Sequence, residues 1–287
     1  MPRRLTSLER AEQVAALARR LGFGRAIDAV RPYALRALGT MEEEVRGLRL
    51  RAPFASHAHY IRTIKGGAED YLLDLFVESI PEGGTVVDVG AHIGLFTLLA
   101  ARAVGPSGRV IAVEPNPQTR ALLQGNLALN GLAERVTVLD VAVSNQRQKA
   151  TLHVNEEGFL SNLFSTEDGC EREVEVDCVP LDELLVEAPP IHVMKLDVEG
   201  AEVAALQGSQ GIIAASPDIT LFCELNPGTL QRAGFSPDDL LAALAELDFQ
   251  AQAIDERSRT LVPVERARFD RPFVDLLAKR TGGHRAS

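Results

Sequence analysis

Lysine is almost missing. It occurs only at Lys65, Lys149, Lys195 and Lys279, so arginine carries nearly all the basic charge of a chain of 287 residues with a net charge of −10. An acidic balance argues against non-specific nucleic-acid binding, which depends on a basic surface. No stretch of eighteen apolar residues occurs, so no membrane span is expected. Arginines interrupt the apolar residues near the N-terminus, which is unlike a secretory leader, and a cytoplasmic protein is expected. The three cysteines, Cys170, Cys178 and Cys223, are odd in number and show no C-x-x-C spacing. Free thiols in a reducing compartment fit this better than a disulfide or a zinc site.

A complete dinucleotide fingerprint is missing too. The pattern G-x-G-x-x-G has its nearest counterpart in Asp88-Val89-Gly90-Ala91-His92-Ile93-Gly94, with glycines at 90 and 94 only. What is present is a strand, a turn and a helix. Val86, Val87 and Val89 suit a buried parallel strand. Gly90 and Gly94 bracket a turn where a side chain would strain the backbone or block a ligand. Apolar residues then continue at helical spacing, so a helix N-terminus with free N–H groups points into the turn.

The hydrophobic content of 46% supports a sizeable core, and the length fits one α/β domain with an extension or two small domains. Thr6-Ser7-Leu8-Glu9 reads as a capping box before a first helix, and a second helix is expected from about 25 to 38. Residues 1–60 are thus read as a helical extension, either packed on the main domain, lying over the substrate as a lid, or joining two subunits in a homodimer. His57, His59, Tyr60, Arg62 and Lys65 stand where a pocket entrance would be. The His-x-His pair lacks a neighbouring third metal ligand and reads as a loop.

Residues 61–287 read as the main domain. Arg109 to Glu114 is a second strand, and Glu114 at its carboxyl end lies about twenty residues beyond the glycine turn, placed for the hydroxyls of a ribose. Asn116-Pro117 starts the next helix as N-cap and first turn. Val136 to Val143 reads as a third buried strand, completing βαβαβ and a doubly wound, mostly parallel sheet. Residues 145–190 break the alternation and read as a β-hairpin insertion. The parallel sheet resumes at Ile191 to Asp197. In Lys195-Leu196-Asp197-Val198-Glu199-Gly200-Ala201-Glu202, Lys195 and Asp197 project to one face of a strand. Three carboxylates and a lysine at the mouth of a buried strand are hard to explain by packing alone.

Together, Asp88-Val89-Gly90-Ala91 with Ile93-Gly94, Glu114-Pro115-Asn116-Pro117, Ala142-Val143-Ser144, Lys195 to Glu202, and Glu224 resemble the FkbM-type family of S-adenosylmethionine-dependent methyltransferases over roughly residues 66–255. His92 departs from the more usual asparagine. The resemblance implies a class I methyltransferase fold, Rossmann-like, of seven strands with the last antiparallel. Strands are then expected at Ile219 to Glu224, Phe249 to Ile254 and Phe273 to Leu277. It also implies that Asp88, Gly90 and His92 hold the methionine part of S-adenosylmethionine, with Glu69, Gly94 and Asn116 beside them. Glu114 would hold the ribose, and Asp140 with Val141 the adenine.

The methyl carbon of that cofactor is already electrophilic, so the protein must place a nucleophile in line and exclude water. Asp197 and Glu224 are candidate bases for a hydroxyl acceptor, and Lys195 is either a base or an ion-pair partner. A magnesium-like ion on Asp197, Glu224 and Asn226 is an alternative, by similarity to catechol-type O-methyltransferases. The expected function is O-methylation of a hydroxyl on a small molecule, a sugar or a secondary metabolite. The alternatives are N-methylation and a non-catalytic cofactor-binding partner protein. No nucleic-acid or membrane partner is expected.

Overall fold

A computed structural model describes residues 39–155, 162–164, 170–266 and 272–280. The two helices expected before residue 39 lie outside them, as does the dimer contact assigned to that segment. The described part of residues 1–60 is not purely helical. It opens with a β-hairpin, β1 (Thr40–Val45) and β2 (Leu48–Pro53). Arg46 and Gly47 turn it, both at positive φ (51° and 76°), as a tight two-residue hairpin requires. Leu48, Leu50 and Ala52 alternate into the core, while Arg49 and Arg51 face out.

Helix α1 (Phe54–Lys65) follows where a loop was expected, with Phe54, His57, Ile61 and Ile64 buried at helical spacing. Helix α2 (Asp70–Glu78) leads to the central strand β3 (Thr85–Val89). Next come α3 (Leu95–Ala103), β4 (Arg109–Val113), α4 (Pro117–Leu129) and β5 (Val136–Leu139). The expected third strand stops at Leu139 rather than Val143. After the exposed Asp140 the chain changes sheet, and β6 (Ala142–Val143) pairs with β8 (Cys170–Val179). The insertion is the expected hairpin, with β7 (Gln148–Asn155) antiparallel to β8.

The short helix α5 (Leu181–Leu184) leads to β9 (Val193–Leu196). Helices α6 (Glu202–Gln207) and α7 (Gln210–Ala214) follow, then β10 (Thr220–Leu225). Helices α8 (Pro227–Arg232) and α9 (Pro237–Glu246) precede β11 (Phe249–Asp255), β12 (Thr260–Pro263) and β13 (Val274–Arg280). Ser236 and Asp239 close a capping box at the start of α9.

The main sheet runs β12-β11-β13-β10-β9-β3-β4-β5. β5, β4, β3, β9 and β10 are parallel, and β13 inserts antiparallel between β10 and β11. This is the expected seven-stranded, doubly wound α/β arrangement, with β12 as an eighth strand at the edge. Apolar clusters cover both faces. Val86, Val110, Val193 and Phe222 pack on one side, and Val87, Val89, Ile111, Met194 and Leu221 on the other. The chain moves outward from β3 to β5, then returns to β9 beside β3. That reversal opens a crevice at the carboxyl ends of the strands, where open α/β sheets bind ligands. Among the described residues no helix is long and apolar enough to cross a membrane.

Candidate active site

The crevice between the ends of β3, β4 and β9 holds a cavity of about 330 Å³, within the range of small-molecule sites. Its walls bring together eight of the residues expected from sequence: Glu69, Gly90, His92, Glu114, Val141, Lys195, Asp197 and Glu224. Asp88, Gly94, Asn116 and Asp140 stand outside the wall.

Asp88 shares its face of β3 with Val86, because side chains alternate along a strand. It is fully buried, accepts a 2.5 Å hydrogen bond from Thr97 Oγ1 on α3, and lies in register with Lys195. It stands behind the cavity and supports it. Gly94 is the left-handed N-cap of α3 (φ 99°), and an added Cβ would come within 2.5 Å of Leu123 Cδ1. Helix packing requires a glycine there. Asn116 caps α4 by accepting from the Gln118 N–H, and its own N–H donates to Glu114. Asp140 is exposed.

Gly90 is a contact residue and a packing residue at once. It has φ 84°, and a Cβ there would lie 1.8 Å from the Asp197 carbonyl oxygen. The two strand-end loops therefore pass backbone to backbone across the sheet reversal. Glu114 is buried at the end of β4. Its Oε2 accepts the His92 N–H at 2.8 Å and its Oε1 the Asn116 N–H at 2.9 Å. Burial pushes its carboxyl up to about 7, against the pull of those two donors.

His92 has φ 53°, stacks on His57 at 5.2 Å and meets Tyr60 edge-on at 5.2 Å. Helix α1 thus presses on the glycine turn. Burial, with a smaller effect of His92, lowers His57 to about 3, so its ring is neutral. His57 and His59 do not form a metal pair: residues two apart on a helix face apart, and only His59 reaches the cavity wall.

The acidic side of the site follows from strand register. Lys195 pairs with Asp88 on one neighbour and Phe222 on the other. Two residues nearer the carboxyl ends, on the same face, stand Asp197 and Glu224, and Glu224 faces Asp275 of β13. Lys195 Nζ donates to Asp197 Oδ2 at 2.7 Å and lies 4.5 Å from the Phe96 ring centre. Burial opposes its charge, but Asp197 and Asp88 overcome that and raise its pKa. Lys195 is therefore held as a cation in an ion pair, the second of the two roles expected for it.

Burial, together with Asp197 and neighbouring carboxylates, raises Glu199 to about 8 and Glu224 well above its usual value. Burial, then Glu69 and Asp197, raises Asp275 to about 8. Asn226 is not beside them as an acceptor, because its Oδ1 caps α8 through the Gly228 and Thr229 N–H groups. Glu199 takes its place: one oxygen each from Asp197, Glu199 and Glu224 lies within 4.8 Å of the others. Glu199, one of the three carboxylates expected at the strand mouth, also reaches the wall, and Thr63 and Asp275 are wall residues without an expected role. Asp275 lies in the strand expected from Phe273 to Leu277, but nothing local marks it as the residue that faces Glu224.

A reversed doubly wound sheet with a buried acidic residue at the end of its second strand has the form of a nucleotide-type cofactor fold. The FkbM methyltransferase domain matches residues 88–251, more than half of the chain, and the protein belongs to that methyltransferase family. Methyltransferase sdnD of Sordaria araneosa is 29% identical over 46% of this chain and 62% of its own length. Methyltransferase 1 of Beauveria bassiana is 29% identical over 46% of this chain and 61% of its own. The chain thus spans about three-fifths of these two relatives. The human transmembrane O-methyltransferase is 32% identical over 32% of this chain and 31% of its own. A solved S-adenosylmethionine-dependent O-methyltransferase from Thermotoga maritima superposes with a TM-score of 0.42 at 18% identity, over 75% of this chain and 64% of that one.

Proposed function

We propose that this methyltransferase moves the methyl group of S-adenosylmethionine to a hydroxyl of a small molecule such as a sugar or secondary metabolite. The observation that carries the reading is that Glu114, at the end of β4, and Asp197 and Glu224, at the ends of β9 and β10 on the other side of β3, line one cavity at the sheet reversal. The cavity fits the cofactor: it has a buried carboxylate at the second strand end and a glycine cradle at the first. Glu114 would accept the ribose hydroxyls, with Val141 beside the adenine. Gly90, His92 and the N-terminus of α3 would face the methionine part, and Glu69 would flank it. When bound, the cofactor supplies an electrophilic methyl carbon.

The chain's own residues do the rest. Tyr60, Thr63 and Leu72, with Leu152 and Leu163 from the insertion, line the cavity and would shield a bound cofactor and acceptor from water. Asp197, fixed by Lys195, and Glu224 stand where an acceptor hydroxyl would need its proton taken. Transfer to an amine is a second reading, favoured by the same acidic row, which would hold a cationic acceptor. Calorimetry with S-adenosylmethionine and with its demethylated product tests the cofactor assignment, and both should bind. Asp197→Ala should abolish turnover against hydroxyl acceptors while binding of the cofactor persists. Binding of NAD in place of S-adenosylmethionine would overturn the reading.

A further inference from the structure

The motif Lys195 to Glu202 is more elaborate than a base requires, and each of its polar residues has a distinct place. Lys195 spends its charge on Asp197 Oδ2 and on the buried Asp88 beside it. Glu202, buried at the start of α6, accepts the Val198 N–H at 3.1 Å and the Gly200 N–H at 3.2 Å through Oε1. Those two bonds pin the loop that carries Glu199. Glu199 sits at φ 52°, and Gly200 at φ 107° packs where a Cβ would lie 2.5 Å from the Thr229 carbonyl oxygen. The loop is thereby locked with the Glu199 carboxylate in the cavity wall, beside Glu224 from the neighbouring strand.

Three glutamate oxygens at this loop have no hydrogen-bond partner among the described residues: Glu202 Oε2, on the residue that pins the loop, and one on each of the two glutamates in the cavity wall. Glu199 Oε2 and Glu224 Oε2 are shielded from solvent, and no group among the described residues hydrogen-bonds to either. A carboxylate oxygen shielded in this way is costly unless a proton or a cation meets it. The ligand-capable oxygens of Asp197, Glu199 and Glu224 lie within 4.8 Å of one another. Oxygens bound to one hard divalent cation stand about 3 Å apart when adjacent and about 4–5 Å apart when opposite, so small side-chain movements bring all three onto one ion. An all-oxygen set selects magnesium, manganese or calcium over zinc or copper.

We propose that Asp197, Glu199 and Glu224 form a divalent cation site, of the magnesium or manganese class, on the acceptor side of the cavity. Glu202 is its positioning residue, because it fixes the loop without facing the ion. The use of the ion rests on the methyl-transfer reading: beside a hydroxyl acceptor it would bind the oxygen and make its proton easier to remove. The site itself does not depend on that reading.

The test is a titration of the full chain with Mn²⁺ alone, followed by electron paramagnetic resonance, which reads the free ion. One ion should bind per chain. Glu199→Gln and Glu224→Gln should each weaken binding at least tenfold, and Glu187→Gln, an exposed acidic residue away from the site, should match the unaltered chain. Melting curves and calorimetry with S-adenosylmethionine identify variants that fold and keep their cofactor pocket. Glu202→Ala, which removes the acceptor of both backbone N–H groups, should weaken Mn²⁺ binding while Asp197, Glu199 and Glu224 remain, a result that lost fold would not give if the melting curve is kept. No saturable binding below about 1 mM, the weak end for such sites, overturns the proposal. So does undiminished binding in both glutamine variants, or a melting-temperature rise with methylguanidinium and none with Mn²⁺, which would assign the row to a cationic acceptor. Mn²⁺ binding without S-adenosylmethionine binding would instead overturn the methyl-transfer reading and leave the cation site standing.

Discussion

Replacing Glu114 by glutamine tests the cofactor half of the cavity with two independent readouts. The two oxygens of Glu114 serve two backbone donors, His92 N–H at 2.8 Å and Asn116 N–H at 2.9 Å. Glutamine keeps the shape but turns one acceptor into a donor, so one backbone N–H faces an NH₂ group. Losing a hydrogen bond to a charged acceptor costs about 1.5–3 kcal/mol. If the same oxygens also take ribose hydroxyls, the affinity for S-adenosylmethionine should fall roughly 10- to 100-fold, at about 1.4 kcal/mol for each tenfold step.

The pH dependence provides the second readout. Burial raises the Glu114 carboxyl from 4.5 to about 7 in the folded chain. The proton therefore favours the folded state. Its contribution is fully present below pH 4.5 and is lost as pH rises through 7, a change on the order of 3 kcal/mol for about 2.5 pKa units. Ribose hydroxyls donate to the carboxylate form, so binding should release a proton below pH 7. Affinity should rise about tenfold per pH unit up to about 7 and be level above it. Calorimetry between about pH 5.5 and 8 reads both effects. A level profile for the unaltered chain, or unchanged affinity in Glu114→Gln, would refute the assignment of this residue to the ribose.

Two further substitutions probe the scaffold that positions the site. Gly90→Ala puts a methyl group 1.8 Å from the Asp197 carbonyl oxygen at φ 84°. It should lower stability by about 2–4 kcal/mol through strain and overpacking, read by urea unfolding, and a loss below about 0.5 kcal/mol would show that the loops do not pack this closely. Asn126 donates to the Ile93 carbonyl at 2.9 Å and accepts the Arg51 N–H at 2.7 Å, joining the N-terminal hairpin to the glycine turn. Asn126→Ala leaves one buried and one half-buried backbone group without partners and should cost about 1–3 kcal/mol; a neutral result would mean that water replaces both bonds.

The parallel core was legible because its strands are short, largely apolar runs bounded by turn, polar or capping residues. Val86 to Val89, Arg109 to Val113 and Thr220 to Leu225 need no partner to be recognised. The hairpin Thr40–Pro53 was not legible, because Met-Glu-Glu-Glu shows no apolar alternation on its outer strand. That edge is held by Asn126 and Asn130 side chains from α4, which bond Arg51 and Arg49, a contact across the fold. The site divides in the same way. Glu114, Asp197 and Glu224 follow from strand ends. Asp275 does not, since its place beside Glu224 depends on the register of β13 against β10. Asn226 carries the same polar chemistry as a ligand, and only the geometry shows that it is occupied by a helix end. The glycines at 90 and 94 read alike in sequence, yet one admits a neighbouring loop and the other a leucine from α4.

His92 and Glu199 share a property that no periodicity reveals. Each is a non-glycine residue held at φ near 50° directly after a central strand, and the two loops meet where Gly90 passes Asp197. Such a conformation costs an ordinary residue about 1–2 kcal/mol, and it persists at ligand sites when the surrounding structure enforces it. Glu199 allows the strain to be separated from the side chain. Glu199→Ala removes the carboxylate and keeps the strained backbone, whereas Glu199→Gly removes both. Glycine's freer unfolded chain offsets about 0.5–1 kcal/mol, so the glycine variant should be more stable than the alanine variant by about 0.5–1 kcal/mol. Both should exceed the unaltered chain in stability at neutral pH without added metal, because Glu199 is crowded by Asp197 and Glu202. Both should also lose Mn²⁺ binding. An alanine variant more stable than the glycine variant would show that the Glu199 backbone is relaxed. A chain weakened by either change would show that the carboxylate supports the fold. The opposite result, stability gained as the ion is lost, is what a residue retained for its ligand produces.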